Sequence, residues 1–184
     1  MLEEKYLEIM KERESGEICF GNTIINTRVS ILNYPKGFLR KKIIKSLIEE
    51  PMKESWNLKT QFQFEICEKI YIQSEIKRKR IIRIEKTNCS VLVCHRNQVE
   101  SWKTALNNIK NSIVLVYERR NKYKFKVDFS LPSIVIISEN DFVSFISDRI
   151  DMKAVYRLYV CDPELFDKIT SSLPHIYYDF CWLI

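Results

Sequence analysis

A chain of 184 residues, 46% apolar and 12% aromatic, is long enough to bury one sizeable core and too short for two ordinary domains. Six cysteines without a C-x-x-C pair, and two histidines (His95, His175) that complete no zinc spacing, argue against a metal centre, and no stretch reaches the roughly eighteen apolar residues of a membrane span. The net charge of +6 is uneven: Asp128 to Ile184 holds nine acids and four bases, and the residues before it hold 26 bases and 15 acids, a balance that suits a polyanion as well as a plain solvated lysine-rich surface.

The opening MLEEKYLEIMKERESGE is charged throughout and lacks the apolar centre of a signal peptide, which points to a soluble intracellular protein with reduced thiols. Tyr6, Leu7, Ile9 and Met10 among those charges fit a short amphipathic helix over Leu2 to Glu14, ended by Gly16. Arg28 to Leu32 (RVSIL) reads as a strand. Asn33 to Gly37 follows as turn material, and FLRKKIIKSLIEE as a helix. In Gln61 to Lys86, Phe62, Phe64 and Ile66, then Ile70 and Ile72, alternate with polar residues as strands or a hairpin do. Ser90–Cys94 (SVLVC), Ser112–Tyr117 (SIVLVY), Ser133–Ser138 (SIVIIS), Tyr156–Cys161 (YRLYVC) and Asp179–Ile184 (DFCWLI) are short apolar runs of the buried parallel type. Helical spacing over Gln98–Ile109 and Asp141–Ile150 separates some of them.

Such alternation specifies an α/β fold: a mainly parallel sheet with helices on both faces, in a single lobe over 28–184, preceded by an N-terminal helical extension over 1–27 and carrying a β-rich basic insert at about 56–86. Ligands of such sheets sit at the carboxyl ends of the strands, here the turns after Leu32, Cys94, Ser138 and Cys161.

At those turns the sequence resembles the first RecA-like lobe, a P-loop NTPase fold, of superfamily-2 helicases, above all those of large DNA viruses and their chromatin-remodelling cousins. SVLVCHRNQVESW (Ser90–Trp102) is similar to motif Ia, with Trp102 matching the Q-W pair and with His95 and Ser101 replacing its proline and glutamine. SIVIISE (Ser133–Glu139) resembles the V-I-I-T-T-Y-E strand that touches the nucleic-acid backbone. YRLYVCDPEL (Tyr156–Leu165) resembles the strand delivering the DExD/H box.

The family's phosphate loop reads G-x-G-K-T, because bare amides must close on the phosphates while the lysine neutralises them and the hydroxyl holds magnesium. The matching Gly37-Phe38-Leu39-Arg40-Lys41 keeps only the glycine. In the acidic box Asp162 fits the magnesium aspartate, Pro163 replaces the glutamate that polarises water, and Glu164 comes one position late. Asp162-Pro163-Glu164 also reads as a helix start, with the aspartate as N-cap and the proline first. The resemblance therefore implies a degenerate ATPase site, Gly37, Arg40 and Lys41 beside the catalytic remnants Asp162 and Glu164, with no cofactor expected unless ATP and magnesium still bind. The chain also stops where the family would continue toward the second lobe and its arginine, so the resemblance implies no strand separation by this chain alone.

Lys77-Arg78-Lys79-Arg80 reads as a solvated hairpin tip, a phosphate-backbone contact or a localisation signal, and with His95 and Arg96 makes up the nucleic-acid candidates. Glu75-Ile76-Lys77 has the nuclease E-x-K form without the upstream aspartate. His95 alone reads as a hydrogen-bonded turn residue, Trp56, Trp102 and Trp182 as core, and Cys94 and Cys161 as buried small apolar groups. The expectation is a helicase-like pseudo-enzyme in the host cytoplasm or the virion, binding nucleic acid or a protein partner in viral transcription or replication, with no membrane. The rival expectations are a purely structural or protein-interaction module, and an ATP-binding lobe completed by another chain.

Overall fold

The computed structural model describes residues 2–15, 19–20, 23–24, 28–31, 37–52, 62–69, 77–150, 153–169 and 176–184. In chain order these form α1 (Leu2–Ser15), the two-residue strands β1 (Cys19–Phe20) and β2 (Thr23–Ile24), β3 (Arg28–Ile31) and α2 (Phe38–Glu49). There follow β4 (Phe62–Lys69), β5 (Lys77–Lys86), β6 (Cys89–Cys94), α3 (Val99–Ala105), β7 (Ile113–Tyr117), β8 (Ser133–Ser138), α4 (Phe142–Phe145) continued by a π turn to Ile150, β9 (Lys153–Val160), α5 (Leu165–Ile169) and β10 (Tyr177–Leu183).

Six strands lie parallel in the order β3-β10-β9-β6-β8-β7. The period of two sends alternate residues of β6 to β10 into opposite layers. Leu92, Cys94, Ile136, Tyr159, Phe180 and Trp182 pack with Met10 of α1, Ile43, Ile44 and Leu47 of α2, and Trp102 of α3. Val91, Val93, Ile137, Leu158, Val160, Cys181 and Leu183 pack on the other face with Phe142 and Phe145 of α4, Ile150, and Leu165 and Ile169 of α5. Connections that step one way across the sheet, β3 to β6 and β6 to β7, thus carry their helices on one face. Those stepping back, β8 to β9 and β9 to β10, use the other, as a single crossover handedness requires. The fold is the expected α/β class, a mainly parallel sheet covered on both sides.

Most elements fall within three residues of their sequence-based limits, and the differences have local causes. The helix expected to run to Ile109 ends at Ala105, where the chain turns and Asn108 takes a left-handed φ of 60°. The basic insert forms an antiparallel ribbon of β4 and β5, and β5 joins the main sheet only through Glu85↔Lys153 and Lys86↔Ala154 at the amino end of β9. Trp56, His175, Glu75, Ile76 and the turn 32–36 lie outside the described residues. Among the described residues no helix is long and apolar enough to cross a membrane.

Gly37 caps α2 with φ 104° and ψ −141°, a region that L residues essentially avoid, while a Cβ there would meet nothing within 4 Å. Backbone conformation alone holds this glycine. Gly37→Ala is expected to cost about 1–3 kcal/mol in chemical denaturation; an unchanged midpoint would show that the loop relaxes to negative φ.

Candidate functional site at the carboxyl edge of the sheet

The carboxyl ends of β6, β8, β9 and β10, together with the start of α2, converge on one edge. Backbone bonds fasten them there: Asp162 N–H donates to the Ile184 carbonyl (2.6 Å), Glu139 N–H to Cys94 (3.0 Å) and Cys161 N–H to Val93 (2.8 Å). From β6 the chain leaves to the α3 face and from β9 to the α5 face, which makes this edge the switch point where α/β sheets hold ligands.

Asp162 meets the start of α2, with Gly37, Arg40 and Lys41, from 122 residues beyond Arg40. Arg40, in the first turn of α2, donates from Nη1 to Asp162 Oδ1 at 3.0 Å and to the Ile184 carbonyl at 3.5 Å. Its guanidinium also lies over the Trp102 ring, 5.5 Å from the centroid, with Lys41 Nζ at 5.6 Å. Lys41 donates to Ser101 Oγ, 60 residues further along the chain. The second Asp162 oxygen accepts from Gln98 Nε2 at 3.1 Å. Burial pushes the Asp162 carboxyl up, but the Arg40 hydrogen bond and charge, with Gln98 and His95, outweigh it and hold the carboxyl below its usual range.

A first turn of α2 that is basic and contains no acid opposes the helix dipole, and Asp162 supplies the compensating negative charge across the edge. The N-cap expectation for Asp162 is corrected by the same geometry. Its carbonyl accepts from Leu165 N–H at 2.9 Å, but its carboxylate is turned to Arg40 and Gln98, and its φ of 90° is not the extended conformation of a capping residue.

His95 sits among three carboxylates: Glu139 at 3.5 Å from Nδ1, and Asp162 at 3.6 Å and Glu164 at 3.4 Å from Nε2. Glu164 reaches the site through this histidine, its sole partner among the described residues, and is largely exposed. Cys94 and Cys161, below the edge, are inert by burial, which pushes the Cys94 thiol up to about 12 and Cys161 well above its usual value.

Arg96 parts company with His95. It lines a neighbouring cleft of about 660 Å³ at the ends of β6, β7 and β8, with Tyr117, Arg119, Arg120, Asn140 and Asp141. Glu118 is held by Arg120 through two bonds (3.0 and 3.1 Å), which lower its carboxyl below the usual range. Arg96 and Arg119 are exposed and, among the described residues, have no hydrogen bond or ion pair. Sequence reasoning missed Arg119 and Arg120, although the strand-end rule applied to Tyr117 points to them. It also missed Gln98, whose partner lies 64 residues away. Lys77–Arg80 does not join the site: the register of β5 on β9 runs it away from this edge. No family model and no curated protein matches the chain.

Proposed function

We propose that the chain is a RecA-type lobe related to superfamily-2 helicases whose nucleotide site has been closed by its own ion pair, and which serves viral transcription or replication by binding nucleic acid. The Arg40–Asp162 pair carries the reading. In the resemblance Arg40 stands for the phosphate-binding lysine and Asp162 for the magnesium aspartate, and these two are bonded to each other at 3.0 Å.

A magnesium–triphosphate does not fit the residues present. The aspartate is already neutralised by a guanidinium, the hydroxyl position is Lys41 engaged with Ser101, and the side chain of Leu39 stands where the loop would need a bare backbone. Calorimetry with magnesium and ATP is expected to give no heat at millimolar nucleotide. Micromolar affinity, with turnover abolished by Asp162→Asn, would overturn the reading and favour an ATP-binding lobe completed by another chain.

Nucleic-acid binding is supported by the exposed guanidiniums of Arg96 and Arg119, which line one cleft with Ser138, in the strand that the resemblance assigns to the nucleic-acid backbone. Each phosphate neutralised releases counterions, so binding should weaken with salt. Arg96→Glu with Arg119→Glu is expected to lower affinity about tenfold or more and to reduce the salt slope by about 2. Affinity independent of salt, or unaltered in that variant, hands the edge to the protein-interaction reading. Residence in the host cytoplasm or virion follows from the same relationship.

A further inference from the structure

We infer that the β4–β5 ribbon is a second nucleic-acid surface, separate from the carboxyl-edge cleft and suited to the major groove of duplex DNA. The inference deepens the nucleic-acid reading above and rests on it only for the class of ligand.

The ribbon concentrates the chain's charge. The two strands hold seven cations against three acids, an excess of four within a chain of net +6. Register then divides the ribbon along its length. Near the main sheet Phe62↔Ile84 and Phe64↔Ile82 are paired, and by the two-residue period these apolar positions share one face. In the outer half the pairs become Ile66↔Arg80, Cys67↔Lys79, Glu68↔Arg78 and Lys69↔Lys77. By register, basic positions therefore occur on both sides of the outer half, against a single acidic position, Glu68.

Position makes the ribbon an arm. Glu85↔Lys153 joins it to the amino end of β9, and β5 runs parallel to β9, so the residues before Glu85 continue away from the carboxyl edge. Lys77 stands eight residues before Glu85, roughly 25 Å along an extended strand. The cleft with Arg96 and Arg119 lies at the other end of the sheet.

Shape selects the ligand. A two-stranded ribbon enters the B-form major groove, about 12 Å wide, whereas the deep, narrow major groove of duplex RNA does not admit it. Among its described residues, 66–69 and 77–80, the outer half has no aromatic residue on which single-stranded bases could stack. Its lysines and arginines are groups that grip backbone phosphates.

The test is fluorescence anisotropy of a mixed-sequence DNA duplex against salt, with the full chain and three variants. Reversal of Lys77, Arg78, Lys79 and Arg80 to Glu is expected to lower affinity at least tenfold at about 0.1 M salt and to reduce the salt slope by about 3–4. The milder Lys77→Gln with Lys79→Gln, which guards against misfolding of the first variant, should reduce it by about 2. Arg96→Glu with Arg119→Glu should leave the ribbon's share of the slope in place. Unchanged slopes in both ribbon variants overturn the inference, and if the cleft variant alone weakens binding, the nucleic-acid reading stands without the ribbon. If the ribbon variants alone weaken it, the ribbon stands and the cleft assignment falls. Equal ribbon-dependent losses on duplex RNA, or ribbon-dependent capture by phosphatidylserine vesicles with no DNA binding, also overturn it.

Discussion

Glu14→Ala is expected to lose about 3–5 kcal/mol of stability, because it strands a charge in the interior. Arg157, in the middle of β9, is 4% exposed and Glu14, at the end of α1, only 1%. The guanidinium donates to both Glu14 oxygens (Nε 2.8 Å, Nη2 2.9 Å) and from Nη1 to the Leu47 carbonyl at 2.9 Å, while Trp182 Nε1 donates to Glu14 Oε1 at 2.8 Å. One ion pair thus ties α1, the end of α2, β9 and β10 together. Its weight is greater because α1 is mostly charged and only Met10 among its described apolar side chains is fully buried. For a domain of this size the loss lowers Tm by roughly 6–20 °C. Arg157→Met alone should cost a similar amount, and the double variant Glu14→Leu/Arg157→Met clearly less than the sum, since no buried charge is then left unpaired. Thermal melts and a double-mutant cycle check this. Single losses within about 1 kcal/mol, or a strictly additive double variant, would mean that water reaches the pair and the clamp is not dry.

This clamp was invisible in the sequence, and its invisibility shows which parts of the fold a one-dimensional reading reaches. The strands SVLVC and SIVIIS announce themselves because a strand covered on both faces needs apolar side chains at every position, and both are buried throughout. The edge where ligands belong follows from the same rule, and so does the position of Asp162 at a strand end. The meeting of Arg40 with Asp162 was legible only through the resemblance, since the two are 122 residues apart. Nothing local says that β10, last in the chain, inserts between β3 and β9, or that a glutamate in a charged helix is the one that goes inside. The N-cap reading of Asp162 failed for a related reason. Asp-Pro-Glu is a good local helix start, but a tertiary guanidinium competes for the carboxylate and wins because a charge-assisted bond is stronger than a cap.

Arg40→Met is expected to cost about 1–3 kcal/mol at neutral pH and to change how stability depends on acid. Asp162 is half-buried and its folded carboxyl is held below its unfolded value, so the native state binds its proton less readily than the unfolded chain does. Such a group contributes stability in full above the ordinary carboxylate range, about pH 4, and loses it as pH falls through the lower folded value. With Arg40 gone, burial is opposed only by Gln98 and His95, and the Asp162 carboxyl should rise toward or above its usual range. The gap between the parent and the Arg40→Met chain should then be widest above about pH 5 and close below the depressed value, where Asp162 is protonated in both. Urea denaturation across pH, with Asp162 followed by carbon-detected NMR, measures both effects. A gap that stays constant from neutral pH into acid would mean that Arg40 stabilises the edge through its packing on Trp102 rather than through its charge on Asp162, and the proposal that this ion pair closes a nucleotide site would fall.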